Sequence, residues 1–265
     1  MVSKEYQSLS CDLLVAGGGM SGVACALAAA RKGLKVILCQ DRPVLGGNAS
    51  SEIRMHILGA EAHGNRGKEL SVEPREGGII EELRLDISVR NPQRSAPMQD
   101  LILMEKCMAE PNLQLMLNTS IVGADVAGRY ITAAWAMRES TEEKFRIDAR
   151  IFVDCTGDGD VFAWAGESFD KLDMGMSFVC RLGNGDRIDA TKPGHEKVRG
   201  VPGGRTTAWK DMGGGQKDAL DVFALSANSH EGRIRTWEYV QKIKAMPGYE
   251  EVFLMETAPQ VGTRT

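Results

Sequence analysis

The segment Asp12-Leu-Leu-Val-Ala-Gly-Gly-Gly-Met-Ser-Gly-Val-Ala24 limits what this chain can become more than any other. An apolar run meets Gly17, Gly19 and Gly22 in the G-x-G-x-x-G spacing and passes straight into a stretch carrying Ala24, Ala26, Ala28, Ala29 and Ala30. Strand, glycine turn and helix in that order form the context in which the motif is informative. Gly17 permits the tight turn, Gly19 lets a pyrophosphate approach the backbone, and Gly22 lets the helix lie close on the strand. The intervening Gly18, Met20 and Ser21 add backbone N–H groups at the helix N-terminus, where phosphate is favoured. Gly33 is placed to end the helix, and Lys35-Val-Ile-Leu-Cys39 supplies a second strand. The chain therefore opens as a βαβ nucleotide-binding unit.

Which dinucleotide it takes is decided by the residues after that second strand. Gln40 stands where an acidic residue would hold a ribose hydroxyl, and its amide offers both a donor and an acceptor for the same purpose. Asp41 and Arg42 follow on the ribose side, and Arg42 can be read as a contact to the 2′-phosphate of NADP. Gly46-Gly47-Asn48 opposes that reading, because a second glycine pair past the strand suits a second backbone approach to a bulkier cofactor. FAD is the favoured cofactor, with NAD(P) as the alternative.

Two unlinked motifs then carry a resemblance. Gln40-Asp-Arg-Pro-Val-Leu-Gly-Gly-Asn-Ala-Ser-Ser-Glu-Ile-Arg54 and Asp154-Cys-Thr-Gly-Asp-Gly-Asp160 together resemble the FAD-dependent oxidoreductases of glutathione-reductase-like fold. Gly175-Met-Ser-Phe178 and Glu256-Thr-Ala-Pro-Gln-Val-Gly-Thr-Arg264 resemble substrate-domain segments of the same family. The resemblance implies that Thr156, Gly157 and Asp158 pass beside the cofactor and that the backbone of Val122 meets the adenine. It also implies a longer chain, in which a further Gly-Asp segment closes over the flavin. The sequence thus reads as a C-terminally truncated member, with the ADP half of the site present and the flavin-ring half incomplete.

The expected fold class is α/β. A Rossmann-like FAD-binding domain over residues 1–170 carries a parallel sheet and an antiparallel β-meander, and residues 171–265 form part of a substrate domain. Within the first, Glu76 to Arg90 reads as an amphipathic helix with Ile80, Leu83 and Ile87 at helical spacing. A second helix starts near Ser95 with Pro97 in its first turn and stops at Pro111; its methionines read as core. Leu113 to Leu117 alternates like a strand. Ile121 to Ala127, Tyr130 to Met137 and Lys144 to Ala149 read as the meander, and Ile151-Phe-Val-Asp-Cys155 as a separate returning strand. Farther on, Met174 to Leu182 reads as a strand, Asp218 to Asn228 and Glu231 to Ala245 as two helices, and Gly213-Gly-Gly215 as a loop.

Composition excludes more than it assigns. A formal net charge of -4 gives no overall drive toward nucleic acid or anionic membrane. No apolar run approaches the roughly 20 residues of a membrane-spanning helix, and residues 1–10 contain no signal-like apolar stretch. The expected compartment is the cytoplasm. Cys11, Cys25, Cys39, Cys107, Cys155 and Cys180 are scattered without a C-x-x-C pair and read as reduced core thiols.

The residues after the second glycine pair are where substrate chemistry is expected. By position after the Gly46-Gly47-Asn48 turn, the Ser50 to Arg54 segment is expected to run along the flavin, making Ser51, Glu52 and Arg54 candidates for contacts to its ring or to substrate, with Ser51 on the cofactor and Arg54 as the best anion contact. His56 is a candidate general base because its ordinary pKa lies near neutrality; its competing role is a hydrogen-bonding residue of a buried loop. His63, His195 and His230 read as surface residues. Asp158 is expected to cap the helix that follows it, and no metal site is expected there. The reading is a flavoenzyme that oxidises a small polar organic substrate, a sugar or a hydroxy acid, and passes electrons to an acceptor the sequence does not name. A non-catalytic fragment holding only the ADP moiety is the second reading.

Overall fold

A computed structural model describes residues 6–55, 57, 77–92, 95–170, 176–183, 199–201, 204–212 and 221–263. His56, His63, His195, Arg264 and the Gly213-Gly-Gly215 run lie outside them. The chain divides into two compact units. The first gathers Met1–Gly47, His56–Val89 and Asp100–Asp170, and the second gathers Asn48–Met55, Arg90–Gln99 and Lys171–Thr265.

The first unit is built on β1 (Gln7–Ala16), whose apolar half is buried on both faces. Leu13 and Val15 point into one core and Leu14 and Ala16 into another, as strand alternation requires. Gly17, with φ 96, turns the chain into α1 (Met20–Arg31), which ends at Lys32 and is followed by Gly33 at φ 88. β2 (Val36–Cys39) returns parallel to β1, Leu13 opposite Val36. Helices α2 (Ile79–Arg90) and α3 (Ala96–Met108) intervene before β3 (Leu113–Met116), which adds parallel to β2. Strands β4 (Thr119–Ala127), β5 (Tyr130–Arg138) and β6 (Glu143–Asp154) complete a six-stranded sheet ordered β3-β2-β1-β6-β5-β4. This is a Rossmann-like α/β sheet with an antiparallel meander on one side.

Two details depart from the sequence expectation. The third meander strand and the returning strand are one element, β6, antiparallel to β5 and parallel to β1 from Gln7 to Ala16. Arg150 between them is no strand breaker, so pairing runs on, and Ile151 ends 49% exposed. In α3 the buried face is Ile102, Leu103 and Cys107, whereas Met108 is 68% exposed. Leu103 and Cys107 lie one turn apart and define the face, leaving Met108 beyond it.

The second unit holds a four-stranded sheet, β10-β7-β9-β8, made of β7 (Val179–Gly183), β8 (Arg199–Val201), β9 (Gly204–Asp211) and β10 (Phe253–Thr257). A single helix, α5 (Val222–Lys244), replaces the two expected. Asp221 caps it through Phe223 and Ala224 N–H, and no proline interrupts it near His230. Gly232 inside it is a packing glycine: a Cβ there would lie 2.7 Å from the Phe178 ring. Cys180, Leu182, Val240, Ile243 and Val252 form the core between helix and sheet.

Candidate functional site

The nucleotide end of the first unit is built at the carboxyl ends of β1, β2 and β6, where open α/β sheets bind ligands. Gly17 N–H donates to Cys39 O at 2.8 Å and Cys155 N–H to Ala16 O at 2.7 Å, so the turn is clamped between its neighbours. A Cβ on Gly17 would lie 2.3 Å from Cys155 O, and one on Gly22 would lie 1.9 Å from Gly17 O. Neither contact can relax, because the obstacles are backbone atoms. Gly19 is the opposite case: a Cβ there meets nothing within 4 Å. As N-cap of α1 it carries no side-chain cap, and the first turn has no acidic residue. The end of α1, with the N–H groups of Met20 and Ser21, therefore presents partial positive charge with no protein anion in its first turn.

The second glycine pair packs on the first. Gly46 N–H donates to Gly18 O at 2.8 Å, Gly19 and Gly46 form a parallel bridge, and a Cβ on Gly47 would lie 3.1 Å from the Gly19 Cα. Gly46 and Gly47 take φ of 107 and 56 to do so. The sequence marked this pair as a cofactor approach; in the structure it braces the first glycine turn.

Gln40 has a similar double character. Its side chain is 3% exposed, its Oε1 accepts from Gly18 N–H at 2.6 Å, and its Nε2 donates to Val44 O at 3.2 Å. One lone pair and one N–H are left beyond these two bonds. Asp41 beside it is exposed, with Arg42 Nε 3.6 Å from its carboxylate.

At the end of β6, Asp154 organises the turn. Its Oδ1 accepts from Thr156 N–H at 3.0 Å and from Thr156 Oγ1 at 2.7 Å, and its Oδ2 accepts from Val161 and Phe162 N–H at 2.8 and 3.3 Å. Thr156 Oγ1 in turn accepts from the N–H groups of Asp158, Gly159 and Asp160. The short helix α4 (Asp160–Trp164) is thus capped by Asp154, not by Asp158 as expected. Gly157 and Gly159, at φ 91 and 74, curl the chain so that the strand-end carboxylate reaches the helix first. The Asp-Cys-Thr spacing, a side-chain turn signature, could have revealed it.

The Asp160 carboxyl is held above its ordinary range by burial, then by Asp158, Asp154 and Asp41. Acid therefore gathers at the ends of β2 and β6, which suits hydroxyl donors and opposes the additional phosphate of NADP. Val122, on the outer meander strand, is the extra residue of a β-bulge between Ile121 and Gly123, which leaves its backbone out of the ladder.

The segment after Asn48 belongs to the second unit and is built differently. Asn48 Nδ2 donates to Thr263 O at 3.2 Å, Gln260 N–H to Glu52 O at 3.1 Å, and Met55 N–H to Asn48 O at 2.9 Å. Ile53 presses on Gly262, where a Cβ would lie 2.6 Å from its Cγ2, and Ser177 pairs with Gly262. Three stretches far apart in sequence, around Ser51, Ser177 and Glu256, are thereby tied together. Arg54 sits in the middle with φ 67. Its Nε donates to Ser51 O at 2.7 Å, and its Nη1 lies 3.1 Å from Glu256 Oε1. Sequence reasoning singled out Arg54 but missed Glu256 as its partner, since nothing local links a loop residue to a strand so distant.

The cysteines are free thiols. Burial pushes Cys11 up to about 11 and Cys39 and Cys107 to about 12, which keeps them protonated. No helix of the described residues is long and apolar enough to cross a membrane.

A Rossmann-like sheet with a glycine turn, an uncapped helix end and acidic groups at the strand ends defines a dinucleotide-binding protein. Residues 12–177 match the FAD dependent oxidoreductase family, so the chain belongs to that family, and FAD is its cofactor. No curated protein matches the sequence. Among solved structures, it is similar to a geranylgeranyl bacteriochlorophyll reductase-like protein of Thermoplasma acidophilum, at 14% identity and a TM-score of 0.52, over 96% of this chain and 66% of that one. It is also similar to p-nitrophenol 4-monooxygenase of Pseudomonas putida DLL-E4, at 12% identity and a TM-score of 0.53, over 95% and 66%. L-amino acid deaminase of Proteus vulgaris gives 12% identity and a TM-score of 0.52, over 98% and 80%. The chain spans just under two thirds of the length of the first two, and identities this low show the fold alone.

Proposed function

We propose that this chain is the FAD-binding part of an oxidoreductase that oxidises a small polar organic substrate, a sugar or a hydroxy acid, by hydride transfer. Residues 1–170 hold the dinucleotide and residues 171–265 contribute to the substrate side. The observation that carries the reading is the open backbone at Gly19, at the uncapped end of α1 and braced by Gly46 and Gly47. A pyrophosphate needs such an approach, and a Cβ would occupy it. Gly17, Gly18, Gly19, Met20, Ser21 and Gly22 are assigned to the phosphates. Gln40, Asp41 and Arg42 take the ribose side, Val122 the adenine, and Gly46, Gly47, Asn48, Ser51, Thr156, Gly157 and Asp158 line the rest of the cofactor.

When bound, FAD supplies a two-electron acceptor for the substrate's hydride. The chain's own residues must then orient the substrate and take its hydroxyl proton, roles assigned to Arg54 and His56. The reading is tested by reconstituting the purified chain with FAD, removing excess cofactor, and adding sugars and hydroxy acids anaerobically. Retained flavin absorption that bleaches with one substrate class is the expected result. Flavin absorption that no member of either class bleaches contradicts the proposed chemistry.

A further inference from the structure

Arg54 combines features that packing alone does not require. A long side chain occupies left-handed backbone, at φ 67, a conformation held only where surroundings enforce it. The side chain is 9% exposed, yet it carries a permanent charge. Its fully buried Nη1 lies 3.1 Å from Glu256 Oε1, but its N–H bonds are directed off that oxygen and form no hydrogen bond. A guanidinium is shaped to give a carboxylate two parallel bonds; Glu256 receives an unaligned contact. Glu256 is itself 34% exposed, at the edge of solvent, and Arg181 on β7 places its Nη1 3.9 Å from the same oxygen.

We propose that Arg54 is the receptor for a carboxylate on the substrate, and that Glu256 is a resting counter-ion which yields its place. A bare buried cation would be costly, so some carboxylate must neutralise it when substrate is absent. A poorly aligned, partly solvated one does so while remaining exchangeable. The loop that carries Arg54 is already fixed by Asn48 on Thr263, Gln260 on Glu52 and Ile53 on Gly262, so the receptor is preorganised. A neutral sugar brings no charge with which to replace Glu256, whereas an acid does. The site therefore selects the acid over the sugar. As a statement about substrate this rests on the flavoenzyme reading; as an anion site it stands on the Arg54 cluster alone.

Calorimetric titration of the FAD-reconstituted chain with acetate, and with acetamide as its neutral twin, tests the assignment. Acetate should bind saturably and acetamide should give no heat. Glu256→Gln removes the internal competitor and should tighten acetate by about tenfold or more. Arg54→Lys keeps the charge but loses the fork and should weaken acetate by about tenfold. A structural ion pair predicts the reverse pattern: lower stability in both variants and no acetate binding in any. That result, or Glu256→Gln binding acetate no more tightly than the native chain, overturns the proposal. The visible spectrum of the same samples separates the two readings. Acetate binding without retained flavin sustains the receptor and contradicts the cofactor site, whereas retained flavin without acetate binding overturns the receptor alone.

Discussion

At Gly17 and Gly22 one added carbon would stand 2.3 and 1.9 Å from backbone oxygens, whereas the Arg54 side chain is held by an ion pair at 3.1 Å, on a loop tied by hydrogen bonds to residues beyond 255. The first region is fixed by exclusion, the second by attraction between distant parts of the chain. Exclusion between near neighbours is written in residue types at short spacing, and it tolerates no substitution. Attraction at a distance tolerates change in proportion to the charge or bond removed, and it leaves room for a ligand to compete.

The contrast is broken most severely by Gly22→Ala. The obstacle is the Gly17 carbonyl, so urea denaturation should show a loss of about 3 kcal/mol or more. A loss under about 1 kcal/mol would mean that the turn can yield and that exclusion is not what fixes it. Arg54→Met should cost less, about 2 kcal/mol, because its partner is partly solvated and can rehydrate. The cost should fall only modestly with salt, because the guanidinium is 9% exposed while Glu256 is 34% exposed; loss of the whole effect at high salt would place the pair at the surface.

Asp154→Asn comes next, at about 1 kcal/mol, from weakened acceptance of Val161 and Phe162 N–H at the α4 cap. Asp158→Asn should leave stability within about 0.5 kcal/mol, and the opposite order would return the cap to Asp158.

The smallest effect belongs to the surface network of the first unit. Glu82 accepts from Arg31 at 2.7 Å and from Lys106 at 2.9 Å, hydrogen bonds that hold its carboxyl down at about 2 against an ordinary 4.5. A depressed carboxylate contributes stability that is complete above 4.5 and is lost as pH falls toward 2. The pair is partly exposed and screened, so Glu82→Gln should remove no more than about 0.5 kcal/mol at neutral pH. It should also flatten the acid limb of the stability profile; an unchanged acid limb would dismiss the network.

The same contrast explains what the sequence disclosed. The glycine spacing before an alanine helix, and the turn after Asp154, are local patterns whose physics is complete within a few residues. They specified the βαβ unit and the parallel strands. The fusion of the meander strand with the returning strand at Arg150 was hidden because continuity of pairing depends on β1 being long enough to accept it. The single helix Val222–Lys244 was hidden for a related reason: the polar Ser229-His230 pair looked like a gap between two helices, and only the packing of Gly232 on Phe178 shows the helix running on. Gln40 was singled out by spacing, but its bond to Gly18 depends on a turn folding back to meet it. Glu256 was quoted as part of a motif, yet its partner could be known only from the fold.

Gly19 leaves a position that the protein does not occupy and that the proposed cofactor would fill. Equilibrium FAD binding and urea denaturation should be measured on the native chain and on Gly19→Ala. Visible flavin absorption is expected in the native protein, with unfolding stability of the variant within about 0.5 kcal/mol of native and FAD affinity lower by about tenfold or more. Equal FAD affinity in the two proteins would contradict the cofactor's placement, because the added carbon would then stand where nothing binds.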